Sequence, residues 1–211
     1  MCKYYEKFDT IIIGEDLSMR IGVDIDGVLT DLSGFLFDYA INFYKEKGIS
    51  MVNPKGYDVK EMFNVSDELV YEFWVEYLPK YFSMSPRTKS AEIIKKLQDE
   101  GNYIIIISAR GSGKDEDTLG KESTKFVTEK WLEMYGIDPD LILFTDSGKL
   151  DVCEKYQINL MIDDMPYNLL EVSSKIKCLC YNAIYNEDIF NDNIIRCYSW
   201  DDIYNTIHEL N

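Results

Sequence analysis

The residues with the clearest capacity for chemistry are Asp24 and Asp26, in the run Met19-Arg-Ile-Gly-Val-Asp24-Ile-Asp26-Gly27-Val-Leu-Thr30. An apolar, strand-like stretch ends in two carboxylates at i and i+2, positions that share one side of a strand. Gly27 follows at once and can turn the chain so that both groups enter one pocket. Paired carboxylates beside a tight turn at a strand's carboxyl end suit a site for Mg²⁺ and a phosphoryl group. One carboxylate would serve as nucleophile and metal ligand, the other as general acid or base. The same residues also fit a strand that merely ends in solvated Asp and Gly turn residues. Taken alone, the motif does not separate the two.

Three more polar groups follow apolar runs. Ile104-Ile-Ile-Ile107 reads as a buried strand and leads into Ser108-Ala109-Arg110. Leu141-Ile-Leu-Phe144 is followed by a turn and then Lys149, and Asn159-Leu-Met-Ile162 ends in Asp163-Asp164. Singly, each has a bland explanation: Ser108 as a helix cap, Lys149 as a solvated cation, the acidic pair as an Asx turn before Pro166. Together they run Asp-x-Asp, Ser, Lys, Asp-Asp, each just beyond a strand. Ligands in open parallel sheets bind there, beyond the carboxyl ends of the strands.

In these four motifs the chain resembles the haloacid-dehalogenase-like (HAD) phosphatases, over roughly residues 20–181 (about one domain's length). Within that superfamily it is most similar to the 5′(3′)-deoxyribonucleotidases and their bacterial nucleotidase relatives. The features that carry this narrower likeness are Ile107-Ser108-Ala109-Arg110, Lys125-Phe-Val-Thr-Glu-Lys-Trp131-Leu-Glu-Met-Tyr-Gly-Ile and Met161-Ile-Asp163-Asp164. The resemblance implies a Rossmann-like α/β core with a mobile cap, and Mg²⁺ as cofactor. It implies Asp24 as the nucleophile that becomes an aspartyl-phosphate, splitting one difficult displacement into two easier ones. Asp26 would protonate the leaving oxygen and then deprotonate water, while its main-chain carbonyl meets the metal. Asp24 and one of Asp163 or Asp164 would complete the protein's share of an all-oxygen shell that suits Mg²⁺. Ser108 and Lys149 would hold the transferring oxygens, helped by backbone N–H groups near Ile25 and Ala109.

The elements that must position these groups read as an α/β protein, without repeats or low-complexity segments. Asp31 to Lys47 has an amphipathic stripe of Leu32, Phe35, Leu36, Tyr39 and Phe43, with Gly48 as its stop. A second helix runs from about Ser66, its expected cap, to Phe82. Glu68, Glu72, Glu76 and Lys80 form its wet face, and Phe73, Trp74, Tyr77 and Tyr81 lie opposite. Pro86 is expected to open a third helix through Ile93, Ile94 and Leu97. The predicted organisation is a catalytic core of residues 19–31 and 86–211, a helical cap of residues 32–85, and an extension, residues 1–18, with a short apolar run at 10–14.

Aromatics at helical spacing are usually core, and most of this set is read so. A small cap has little core to fill, however, and a nucleobase needs a flat apolar face. Trp74, Tyr77, Tyr81 and Phe82, with Arg110, are therefore the candidates for contact with the leaving group. The stretch Arg110-Gly-Ser-Gly-Lys114 lacks the GxxxxGK[ST] spacing, and Asp115 follows its lysine, so it is read as an exposed loop at the pocket mouth. The one histidine, His208, is expected to be a surface or packing residue. That leaves no group for histidine-based phosphatase chemistry or a Ser-His-Asp triad.

With 211 residues, 46% of them hydrophobic, the chain can bury a full core plus an insertion. Its net charge of −16 argues against a nucleic-acid polymer or an anionic membrane as partner. A phosphate substrate is repelled at long range, so its attraction must come from a cation and local donors. Residues 1–7 are polar and no apolar run is long enough to cross a bilayer. Five cysteines without a CxxC pair predict a reduced, cytoplasmic protein, with Cys178 and Cys180 as buried packing on a strand. The expected activity is Mg²⁺-dependent hydrolysis of a small phosphorylated metabolite, a nucleoside monophosphate. The alternatives are a phosphatase for sugar phosphates, and a non-catalytic phosphate-binding or receiver-like signalling module. A receiver also gathers acids, a hydroxyl and a lysine at strand ends, but it is shorter and has no helical insertion after its first strand.

Overall fold

The structure, a computed structural model, describes residues 19–110, 124–145 and 148–210. The expected strand at 10–14 and the glycine-rich loop at 111–114 lie outside these residues. The chain begins with β1 (Arg20–Val23), then α1 (Leu32–Glu46), α2 (Val59–Phe63), α3 (Asp67–Tyr81) and α4 (Ser90–Asp99). Strands and helices alternate from there: β2 (Tyr103–Ser108), α5 (Thr124–Met134), β3 (Leu141–Phe144), α6 (Lys149–Lys155), β4 (Leu160–Asp163) and α7 (Pro166–Val172). The last elements are β5 (Lys177–Tyr181), β6 (Ile194–Cys197) and α8 (Trp200–Leu210).

Among the described residues the strands form one six-stranded sheet in the order β3-β2-β1-β4-β5-β6, every pairing parallel. Parallel strands covered on both faces need near-continuous apolar runs, which is what Ile104 to Ile107 supplies. Ile104 and Ile106 pack under α4, α5 and α8 with Leu97, Trp131 and Ile203. Ile105 and Ile107 face the other layer, with Cys153 of α6 and Leu169 of α7. Cys178 and Cys180 of β5 are fully buried in this second layer, as expected of strand packing residues.

The chain moves outward from β1 to β3, then returns to place β4 on the other side of β1. The sheet order therefore reverses between β1 and β4, where Val23 pairs with Ile162. Loops diverge at such a switch point and leave a crevice at the strands' carboxyl ends. Asp24 and Asp163 stand at its two lips.

Residues between Leu32 and Met84 build a hydrophobic cluster of their own, with Phe35, Tyr44, Met62 and Phe73 at its centre. Three details differ from the sequence reading. A short helix, α2, interrupts the stretch between α1 and α3, and Asp58 caps it by accepting from Glu61 N at 2.9 Å. Ser66 occupies the N-cap position of α3 but makes no side-chain capping bond. Pro86 does not open a helix: α4 starts at Ser90, after Lys89 in the left-handed region at φ 65°. Residues 86–89 are instead tied to the loop after β1, where Arg87 N donates to Leu29 O at 2.7 Å.

Candidate active site

Strand β1 ends one ladder bond past Val23, where Asp24 N donates to Ile162 O at 3.0 Å. The chain then coils tightly, with Leu29 N and Thr30 N both donating to Ile25 O. Gly27 sits at φ +89°, and a Cβ there would lie 1.9 Å from Asp164 Oδ2. Both the backbone conformation and the close approach of Asp164 require glycine. Arg87 braces the coil: its Nε donates to Gly27 O and Thr30 O, both at 3.2 Å, and its Nη2 pairs with Asp31.

Lys149, the first residue of α6, reaches into the crevice and is 4% exposed. Its Nζ lies 2.6 Å from Asp24 Oδ1 and 2.7 Å from Asp163 Oδ2. Burial works against its charge, but Asp163 and Asp24 outweigh that and raise its pKa above the ordinary value. Asp163 is fully engaged. Its Oδ1 accepts from Asp164 N and Met165 N at 2.9 Å each, and Asn168 Nδ2 approaches both of its oxygens. Asp164 differs: Tyr185 OH donates to its Oδ2, while its Oδ1 is buried without a hydrogen-bond partner. Carboxylate oxygens of Asp24, Asp163 and Asp164 lie within 4.8 Å of one another.

Asp26 points to the other side. Tyr81 OH donates to its Oδ1 at 2.6 Å, and Arg110 Nε lies 3.0 Å from Oδ1 and 2.9 Å from Oδ2. Arg110 Nη2 also pairs with Asp26 Oδ1, and Nη1 is buried with no partner. Burial alone would raise the Asp26 pKa, but the Arg110 guanidinium holds it below the usual carboxylate range. Asp26 is thus a charged acceptor here. Ser108, at the end of β2, is 1% exposed, and its Oγ accepts from Arg110 N at 3.2 Å.

A cavity of about 490 Å³ opens beside this cluster, and Asp26, Ala109 and Arg110 line it together with Trp74, Leu78 and Phe82. That size is in the range of sites that enclose small organic ligands.

The family model described as 5′ nucleotidase, deoxy (pyrimidine), cytosolic type C protein matches residues 18–210. The chain belongs to that family. As a member of this nucleotidase family it is a phosphoric monoester hydrolase of the HAD superfamily. It is 26% identical over 194 residues to a nucleotidase of Clostridium acetobutylicum, covering 91% of this chain and 95% of that one. Its fold resembles that of a predicted phosphoglycolate phosphatase of Haemophilus somnus, with TM-score 0.61 at 15% identity, covering 92% of this chain and 100% of that one. A haloacid-dehalogenase-like hydrolase of Xanthomonas campestris gives TM-score 0.58 at 11% identity, over 92% and 96% of the two chains. No described helix is long and apolar enough to cross a membrane.

Among the residues singled out in the sequence, the structure gathers Asp24, Asp26, Ser108, Lys149, Asp163 and Asp164 at one end of the sheet. Trp74, Tyr81, Phe82 and Arg110 join them along the cavity. Tyr77 does not line it: its ring stacks on Phe73 at 5.1 Å and packs against Phe43 and Tyr39. Tyr81 lines it but is 3% exposed, with its hydroxyl committed to Asp26. Asn168, Tyr185 and Arg87 escaped the sequence reading. Asn168 falls five residues beyond Asp163, a spacing that a helix starting at Pro166 brings back toward the strand end. Tyr185 sits in the one-turn 3₁₀ helix Ile184–Asn186 after β5 and carried no local signal.

The residues present fit a divalent cation. Four carboxylates face two cations, Lys149 and Arg110, and all of these groups are buried except Asp26, whose side chain is 26% exposed. Excess negative charge and an unpaired Asp164 Oδ1 are what a hard metal ion neutralises. Burial pushes the Asp24 carboxyl up to about 7, with Asp163 and Asp26 adding to the rise and Lys149 opposing it. Burial, then Asp163 and Asp24, also hold Asp164 well above the carboxylate range.

This has a consequence for the metal-free protein. Folded Asp24 keeps its proton up to about 7, against 3.8 for the ordinary group. Its stabilising contribution is complete below the lower value and is lost as pH rises through the upper one. In chelator, Tm is expected to fall from about pH 5 to about pH 7.5, more steeply than in Asp24→Asn, and Mg²⁺ should raise it most at the upper end. Parallel slopes for the two proteins in a pH series of melts would contradict the assignment.

Proposed function

We propose that this chain hydrolyses nucleoside monophosphates with Mg²⁺, through an aspartyl-phosphate on Asp24, and that residues 32–85 form the lid of the site. The reading is carried by the continuity of the acidic crevice with the apolar cavity: Asp26 and Arg110 belong to both. Chemistry and leaving group thus have adjacent places.

Asp24 and Asp164, through its open Oδ1, would hold the metal, with the main-chain carbonyl of Asp26 as a third ligand. Asp163, whose oxygens are all engaged, would hold Lys149 in place instead. The bound cation supplies charge neutralisation at the phosphoryl oxygens and screens the carboxylates from the incoming anion. An Asp24 oxygen attacks phosphorus and the ester P–O bond breaks. The departing oxygen takes a proton from Asp26, which returns to its charged form. Asp26 then accepts a proton from the attacking water as the acyl phosphate bond is cleaved and phosphate leaves. Lys149 and Ser108 bind the equatorial oxygens throughout. Asp26 is charged while Arg110 holds it; once the guanidinium turns to the substrate anion, Asp26 takes up a proton from solvent and only then can donate it.

The decisive first experiment is phosphate release from a panel of nucleoside and sugar monophosphates, with and without Mg²⁺. Turnover that needs Mg²⁺ and favours nucleotides supports the proposal. Sugar phosphates outperforming every nucleotide would leave the phosphatase and remove the nucleotide substrate.

Trp74 tests the lid. Its ring lines the cavity and also stacks at 6.3 Å on Phe35. A stacked base is worth roughly 1–3 kcal/mol by alanine substitution. Trp74→Ala should therefore lower kcat/KM for nucleotides by about ten- to a hundredfold and leave phenyl phosphate nearly unchanged. Equal losses on both substrates, with a lowered Tm, would mean the ring is core.

A further inference from the structure

We propose that Tyr81, the last residue of α3, is a positioning residue that holds the Asp26 carboxylate by Oδ1 and leaves Oδ2 as the oxygen that carries the proton. The proposal rests on the reading of Asp26 as proton donor in the previous subsection. It assigns to a residue of the helical insertion a part in the core's chemistry.

The phenol stands in a chain of hydroxyls. Thr30 Oγ1 lies 2.7 Å from Tyr81 OH and 3.2 Å from Ile25 O. Tyr81 OH lies 2.6 Å from Asp26 Oδ1. Each hydroxyl has a single hydrogen, and a charged carboxylate is the stronger acceptor. The proton of Tyr81 therefore points to Asp26, and the phenol oxygen is free to accept from Thr30. Burial, then the charge of Asp26, keeps the Tyr81 pKa well above 10, so the group remains a donor.

The two oxygens of Asp26 are unequal. Oδ1 is held by Tyr81 and by Arg110 through both Nε and Nη2. Among the described residues Oδ2 is held by Arg110 Nε alone, at 2.9 Å. Once Arg110 swings to an incoming phosphate, Oδ2 loses that partner and Oδ1 keeps the phenol. The carboxyl group is then fixed in direction but open at one oxygen, as a donor to a leaving group must be. This holds only while α3 is packed down. The ring of Tyr81 is locked among Phe35 at 4.9 Å and Trp74 at 5.8 Å, both in the insertion's own cluster. A lifted insertion would take the phenol with it, so proton donation would be coupled to closure.

Tyr81→Phe keeps the ring and removes only the hydroxyl. The experiment measures kcat and KM for a nucleoside monophosphate and for p-nitrophenyl phosphate, whose leaving group needs no proton. Asp26→Asn, the double variant and thermal melts are run beside it. Loss of a hydrogen bond to a charged group predicts about a ten- to hundredfold fall in kcat on the nucleotide, with little change in KM. The fall in kcat/KM on p-nitrophenyl phosphate, which ends at release of the leaving group and so excludes the later Asp26-assisted hydrolysis, should stay within about twofold, and the double variant should be no worse than Asp26→Asn. Should Tyr81→Phe be too unstable to assay, Thr30→Val removes the phenol's other partner and should give the same selectivity at smaller size. Equal losses on both substrates, or losses that multiply in the double variant, overturn the proposal while Asp26→Asn still discriminates between substrates. If Asp26→Asn itself loses equally in kcat/KM on both, the proton-donor reading has failed and the role of Tyr81 fails with it.

Discussion

Asp24→Asn is expected to remove turnover almost entirely and to leave the protein folded. An amide oxygen neither attacks phosphorus nor binds a cation as a carboxylate does. Loss of a covalent nucleophile costs on the order of 10⁴–10⁶-fold in kcat where such residues act as a unit. The fold should tolerate the change because Asp24 is one of several carboxylates gathered around a single lysine. Lys149 retains Asp163 at 2.7 Å, and removing one negative charge lessens the repulsion that holds Asp24 and Asp164 partly protonated. The test combines a phosphate-release assay with melts in chelator. Near-normal turnover in Asp24→Asn would rule out the aspartyl-phosphate. A collapse of Tm would show that the carboxylate is a structural acceptor first.

Lys149→Met should have the larger effect on stability. The ammonium is nearly fully buried between Asp24 and Asp163, and its replacement leaves a cluster of buried carboxylates facing one another. Breaking a buried pair from one side costs about 3–5 kcal/mol. For a chain of this size that is a Tm lower by roughly 6–20 °C. The deficit should shrink at about pH 5, where protonation relieves the repulsion, and also in Mg²⁺. Turnover should fall by about 10²–10³-fold even in protein that stays folded, since a donor to the transferring oxygens is gone. A metal-free variant that melts within a degree or two of the parent would mean the ion pairs contribute little.

The two variants differ in what they remove. One takes away a reacting atom from an over-charged cluster, the other the cation that makes the cluster tolerable. Opposite signs of their Tm shifts in chelator would follow from the same geometry. Matching signs would not.

Much of the core was legible from residues alone. A fourfold run of isoleucine reads as a strand buried on both faces, and polar groups that recur just past such runs are expected to collect at one end of a parallel sheet. That reasoning reaches Asp24, Asp26, Ser108, Lys149, Asp163 and Asp164 without coordinates. Periodicity also placed α1 and α3 to within a residue or two, because their apolar faces fill a separate small core. It misjudged Pro86, where a fixed φ suits a first helical turn but the backbone is bound to Leu29 instead.

Pairing across the crevice was beyond the sequence. Nothing in the order of residues says that Arg110 turns back on Asp26, that Tyr81 bonds it from a different layer, or that Tyr185 reaches Asp164 from 21 positions away. Nor does helical spacing distinguish Tyr77, which stacks inward on Phe73, from Trp74, which faces the cavity. Local pattern is set by each segment's own backbone geometry, and a sequence carries that in full. Which oxygen of a carboxylate is satisfied and which is left open depends on three segments converging within hydrogen-bond distance, so only the tertiary structure decided it.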